Sequence, residues 1–179
     1  MNGDWWLFGY GSLTWRPNFA FVESRLAYLP GWERRFWQGS EDHRGVPGAP
    51  GRVVTLIEAE GQRCLGRLFR IASAEARRIR AQLDHREKGG YERREASFLA
   101  RDGGPLVVAT FYIATADNPN WLGPASPEAI AEQVAVSVGP SGANREYVER
   151  LHAWLSEQGE VDAETAAVVE ALRALTQRV

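Results

Sequence analysis

Along this chain the spacing of apolar residues divides it into a part that is mostly strands, with one helix, and a part that is helical. From Trp5 to about Thr115 apolar residues come in short runs rich in β-branched and aromatic side chains. Gly, Pro and Asp bound those runs, which is the punctuation of strands and turns. From Ser126 onward apolar residues recur every three or four positions, the spacing of helices. The pattern predicts a strand over 4–9 and extended structure over 20–38, its apolar groups separated by Pro30-Gly31. Gly39–Gly51 reads as a loop. Arg52–Glu58 and Arg63–Ile71 read as two strands of a hairpin turning at Gly61. Ser73–Leu83 reads as a helix with Ser73 as N-cap, Glu75 in its first turn, and Ala76, Ile79 and Leu83 on one face. Residues 91–100 and 105–115 form a second hairpin, and the apolar run of its second arm suits a central strand.

After a loop over Ala116–Pro127, Ser126-Pro127-Glu128 supplies an N-cap, an N1 proline and an acidic first turn. Ile130, Val134 and Val138 follow at spacing four. Gly139-Pro140-Ser141-Gly142 ends that helix. Tyr147, Leu151, Trp154 and Leu155 mark the next, and Val168, Leu172 and Leu175 the last. The class is mixed α and β, with hairpins first and helices at the end. A single domain over 1–179 is expected, with about 127–179 as its helical part.

Composition narrows the classes. Hydrophobic residues make up 44% of the 179 and charged residues 25%, ordinary values for a soluble globular chain. A net charge of −2 gives no electrostatic case for nucleic acid or membrane surfaces. A single cysteine, Cys64, forms no intramolecular disulfide. No signal peptide and no membrane-length apolar run is recognisable, so a cytoplasmic location is expected.

Three features carry candidate chemistry. The run Trp5–Phe8 stops at Gly9-Tyr10-Gly11-Ser12, where glycines allow positive φ and close ligand approach, and successive amides can form an anion-binding nest. Taken alone this is as well a tight turn, the commoner case. Glu87, beside Gly89-Gly90 and Tyr91, is a candidate general acid/base, against the alternative of a solvated charge in an Asp-His-Arg-Glu-Lys cluster. Arg34-Arg35-Phe36-Trp37 with Asp42-His43-Arg44-Gly45 offers cations and an aromatic wall for an acidic substrate, or a partly solvated face. Other signals are weaker. Cys64 reads as a buried structural thiol. His43, His85 and His152 lack metal-ligand spacing, and a site built on Asp42, His43 and Asp84 has little support. Ser12 is not in a nucleophile elbow. Gly9-x-Gly11 lacks the third glycine of a dinucleotide fingerprint, and a phosphate-loop lysine is absent.

Seven longer motifs now stand in order: FGYGSL (Phe8–Leu13), RRFWQGS (Arg34–Ser40), DHRGVPG (Asp42–Gly48), PGRVVTL (Pro50–Leu56), LDHREKGGY (Leu83–Tyr91), ADNPNWLGPA (Ala116–Ala125) and VGPSGANREY (Val138–Tyr147). Together they resemble the ChaC-type γ-glutamylcyclotransferases, which act on glutathione. Thr14, Glu41 and His85 depart mildly from the family's usual residues. The resemblance implies an α+β γ-glutamylcyclotransferase-like fold, a barrel-like and mostly antiparallel sheet with packed helices and a helical C-terminus. It implies no metal and no organic cofactor, and glutathione as small-molecule partner. It makes Leu7, Phe8, Gly9, Tyr10, Gly11, Ser12 and Leu13 the holder of the γ-glutamyl group and Glu87 the catalytic acid/base. Tyr147 matches a site tyrosine of the wider superfamily. The reaction expected is lyase chemistry giving 5-oxoproline and Cys-Gly. The alternatives are a sister cyclotransferase for other γ-glutamyl amines or amino acids, and a non-catalytic γ-glutamyl-ligand binding protein. Oligomeric state is not legible.

Overall fold

The protein is described by a computed structural model covering residues 3–86 and 90–177, with backbone alone at 85 and 86. Among the described residues seven strands and four helices follow in order: β1 (Trp5–Gly9), β2 (Glu23–Ser40), β3 (Gly51–Ile71), α1 (Ser73–Arg86), β4 (Glu92–Ala100), β5 (Val107–Ile113), α2 (Pro127–Val136), β6 (Val138–Gly139), β7 (Gly142–Ala143), α3 (Asn144–Glu157) and α4 (Ala163–Thr176). The first five strands close a barrel in the order β1-β3-β2-β4-β5, and β6 and β7 form a separate two-stranded ribbon. This is the expected α+β architecture with helices at the end. Contacts divide the chain into two compact units, Met1–Glu33 with Ile57–Pro119, and Arg34–Leu56 with Asn120–Val179.

In the first unit, β1 pairs antiparallel with β3, from Trp5 opposite Ile71 to Gly9 opposite Arg67. It also touches β5 in parallel at Leu7 and Thr110. Side chains alternate across a strand, so β1 feeds two cores. Trp5 and Leu7 join Ile71, Tyr112 and the α1 residues Ile79 and Leu83. Phe8 packs on Phe98 with ring centroids 4.4 Å apart. That explains the uninterrupted apolar run. β4 and β5 form the predicted hairpin, from Glu92 opposite Ile113 to Phe98 opposite Val107.

The second unit holds α2, α3 and α4. Ser126 caps α2 by accepting from the Ala129 N–H, with Pro127 at the first helical position, as the local sequence dictates. Ile130, Val134, Val148, Leu151, Val168 and Leu172 are buried on the facing sides of these helices.

Four expectations fail for identifiable reasons. The hairpin over 52–58 and 63–71 is instead one continuous strand, β3. Its polar middle, Glu58 and Glu60 to Arg63, is exposed strand rather than a turn. Gly61 does take positive φ, 76°, but one left-handed residue bends a strand without reversing it. Ser73 does not cap α1. Ala72 accepts the first helical bond, from Ala76 N–H, and the Ser73 N–H donates to the Asp4 carboxylate at 3.1 Å. Val138 leaves the α2 face: Ser137 turns extended and Val138 lies exposed in β6. The loop beginning at Gly39 begins later, because β2 runs on through Ser40.

Candidate functional site

The turn after β1 is built by close packing. A Cβ on Gly9 would lie 2.6 Å from the Leu13 Cβ, so only glycine lets the chain fold back there. Residues Ser12–Thr14 make one turn of 3-10 helix. Thr14, fully buried, closes it twice, donating to the Gly11 carbonyl from its N–H at 3.0 Å and its Oγ1 at 2.8 Å. Arg16 N–H donates to the Ser12 carbonyl at 2.8 Å. Gly9 and Gly11 do not use the positive φ open to them; Gly11 sits at φ −117°, ψ −132°. The alternation of right- and left-handed residues that defines a nest is therefore not present in this turn.

The seven residues of this segment divide in role. Leu7 and Phe8 are buried to 0% and 1% exposure, so their side chains belong to the core. Gly9 is the close-packing point. Gly11, Ser12 and Leu13 are half-buried. Tyr10 is buried, and its hydroxyl donates to the Tyr112 carbonyl near the end of β5 at 2.7 Å. The Tyr112 hydroxyl donates in turn to Asp84 Oδ1 of α1 at 2.7 Å. The FGYGSL and LDHREKGGY motifs are thus joined through Tyr112, which belongs to neither. Glu87 lies outside the described residues. Beyond it, Gly90 has φ 91°, and a Cβ there would meet Asn118 Nδ2 at 2.8 Å, so the position requires glycine for both reasons.

In the second unit the candidate cations prove to be structural. Arg34, 2% exposed, pairs with Asp162 at 2.6 Å. Arg35 pairs with Glu164 at 3.0 Å. Arg44 donates to the Ala143 carbonyl at 2.9 Å and lies over the Tyr147 ring. Each arginine of this cluster has a protein partner that packing alone accounts for. Arg52 is likewise absorbed: its guanidinium donates to Gln133 and to the Phe36 and Gly123 carbonyls, while Asn144 bonds both its N–H and its carbonyl. Burial pulls the Arg52 guanidinium below its ordinary pKa, with the Glu164 charge opposing. Tyr147 is buried, its hydroxyl accepts from the Val54 N–H at 3.3 Å, and its ring meets Phe36 edge-on. His43 bonds Ser141 at 3.0 Å and faces Asp42 at 3.7 Å. Asp84 has its own partners, Tyr112 and Arg93.

The ChaC-like protein family matches residues 5–178. The chain belongs to that family. Glutathione-specific γ-glutamylcyclotransferase 1 of Danio rerio is 47% identical over 149 residues, 82% of this chain and 76% of that protein. Its human counterpart, of the same name, is 42% identical over 172 residues, 93% and 78%. Among solved structures, a γ-glutamyl cyclotransferase specific to glutathione from yeast superposes with a TM-score of 0.88 at 28% identity, covering 97% of each chain. The fold is therefore a γ-glutamylcyclotransferase fold.

In this ChaC-like chain four of the seven ordered motifs pack against one another. RRFWQGS, DHRGVPG, PGRVVTL and VGPSGANREY meet one another in the second unit through Arg44, Arg52, Asn144 and Tyr147. Two residues escaped the sequence reading. Tyr112 looked like one more aromatic of a strand, and Thr14 like a departure of no consequence. Thr14 is defined by the Gly11 carbonyl three residues before it, and Tyr112 by the Tyr10 hydroxyl and the Asp84 carboxylate, partners that no nearby residue announces. Cys64 is 2% exposed, and its Sγ contacts the Leu65 carbonyl at 3.6 Å. Such a thiol is not poised as a nucleophile. Cys64→Ala is expected to keep full turnover while losing about 1 kcal/mol of stability to the small void. Steady-state rates and a urea melt check both.

Proposed function

We propose that the protein is a glutathione-specific γ-glutamylcyclotransferase. The α-amine of the γ-glutamyl unit attacks its own γ-amide carbonyl, a five-membered lactam forms, and the amine of Cys-Gly leaves. Glutathione becomes 5-oxoproline and Cys-Gly with no water consumed, a lyase reaction. The observation that carries the reading is the likeness to glutathione-specific relatives at 47% and 42% identity over most of their length.

The chemistry makes modest demands on a protein. Nucleophile and electrophile already share one molecule, so the enzyme folds the substrate into a near-attack shape. The attacking amine has an ordinary pKa of about 7.7–8.0, so near neutral pH it must shed a proton. Glu87 takes that proton and returns it to the leaving nitrogen, one carboxylate serving as base and then acid. The Leu7–Leu13 segment holds the γ-glutamyl group. With Leu7 and Phe8 committed to the core, that hold comes from the main chain and from Tyr10 to Leu13. Tyr147 is assigned to the site by resemblance, beside its packing role. The reaction is cytoplasmic. Incubation with glutathione and, separately, with γ-glutamyl-alanine tests the substrate class. Release of 5-oxoproline from glutathione alone supports the proposal. Equal or faster release from γ-glutamyl-alanine identifies a sister cyclotransferase. A glutathione-induced rise in melting temperature with no 5-oxoproline identifies a binding protein.

A further inference from the structure

We propose that Tyr112 is a positioning residue for this reaction, a clamp that fastens the end of α1 and the Tyr10 turn to one point of β5. The inference rests on the assignment of Glu87 as acid/base. The carbonyl and the hydroxyl of Tyr112 each reach a different motif. Its carbonyl accepts the Tyr10 hydroxyl, and its hydroxyl donates to Asp84 Oδ1, both at 2.7 Å. The second bond is charge-assisted, the stronger kind. Arg93, opposite Tyr112 across the β4–β5 ladder, lies at ion-pair distance, 3.8 Å, from Asp84 Oδ2. Asp84 precedes Glu87 by three residues in sequence. The clamp therefore fixes the point of α1 from which the Glu87 segment continues, in the same residue that fixes the substrate-holding turn.

Packing alone does not need the hydroxyl. Tyr112 is 8% exposed and already contributes its ring to the cluster around Trp5, Leu7 and Ile79. Phenylalanine would keep that contribution. What it would lose is the tether, and small misplacements of reacting groups carry large rate penalties. The Tyr112 hydroxyl is thus assigned to turnover rather than to substrate affinity or to the core.

The test compares Tyr112→Phe, Asp84→Ala, Asp84→Asn and the Tyr112→Phe/Asp84→Ala double variant in 5-oxoproline release. It adds amide hydrogen exchange at Leu83 and Asp84. Tyr112→Phe and Asp84→Ala are each expected to lower kcat about tenfold with KM nearly unchanged, on the scale of a lost positioning contact. The double variant should fall no further than either single one, because the tether is already gone. Asp84→Asn keeps an acceptor oxygen and should restore most of the rate. Exchange at Leu83 and Asp84 should quicken in Tyr112→Phe while Ala96 and Ala109 in the β4–β5 hairpin stay protected. An unchanged kcat in folded Tyr112→Phe overturns the proposal, as do multiplicative losses in the double variant. If the wild-type protein releases no 5-oxoproline, the catalytic reading fails by itself. Exchange then decides the clamp: faster exchange at Leu83 and Asp84 supports it, and unchanged exchange overturns it.

Discussion

Glu87→Gln is expected to lower 5-oxoproline release by about 10²–10⁴-fold, the range for loss of a general acid/base, while glutathione still binds. Glutamine has nearly the shape of glutamate but accepts no proton at neutral pH. The substrate amine then stays largely protonated and the leaving nitrogen has no donor. Neighbouring carboxylates are poor substitutes. Asp84 holds the Tyr112 hydroxyl and faces Arg93, and Glu92 pairs with Arg94 and accepts from Thr115. The signature sought is a kcat that collapses with a glutathione-induced melting shift that does not. Wild-type turnover by well-folded Glu87→Gln would remove Glu87 from the mechanism.

Asp162→Ala is expected to destabilise the protein by about 3–5 kcal/mol, because it removes the carboxylate paired with a buried cation. Arg34, among the largest fully buried side chains, has Asp162 as ion partner at 2.6 Å. Asp162 also caps α4, accepting from the Thr165 N–H at 2.9 Å and its Oγ1 at 2.7 Å. For a chain of this size the loss is on the order of 10 °C in Tm. Asp162→Asn keeps a capping oxygen and should fall between the two. A pH dependence follows. Burial pushes the Asp162 carboxyl upward, but the Arg34 charge and the hydrogen bonds from Thr165 and Arg34 outweigh it, so its folded pKa lies below the ordinary value. A depressed folded pKa contributes stability above the unfolded value of about 3.9, lost as pH falls through the folded one. Acid unfolding followed by circular dichroism should therefore show wild type and Asp162→Asn converging below about pH 4. A constant gap between them across that range would mean the charge is not what matters.

The parts of this structure legible in the sequence are those governed by neighbours in the chain. Ser126-Pro127-Glu128 starts a helix by rules spanning four residues, and the structure starts one there. The apolar run into Gly9 becomes a strand and a turn for equally local reasons. The misread parts depend on partners far away. Arg34 and Arg35 looked available for a substrate because their acids, Asp162 and Glu164, lie 128 and 129 residues later. The α1 N-terminus is held by Asp4, 69 residues before it. Gly61 signalled a reversal because exposed polar residues surround it, and exposure in the middle of a long strand leaves the same mark. Of the candidate site, the Tyr10 turn and Glu87 came from motifs recognised as a set, whereas Tyr112 needed the barrel before it could be seen.

The central claim is that the bond breaks by cyclisation, and one mass balance tests it. Glutathione is incubated with the protein in H₂¹⁸O and every product is weighed by mass spectrometry. Cyclisation predicts 5-oxoproline and Cys-Gly in equal amounts, with no ¹⁸O in either. Glutamate carrying ¹⁸O in its γ-carboxylate, or glutathione recovered intact, would contradict the account.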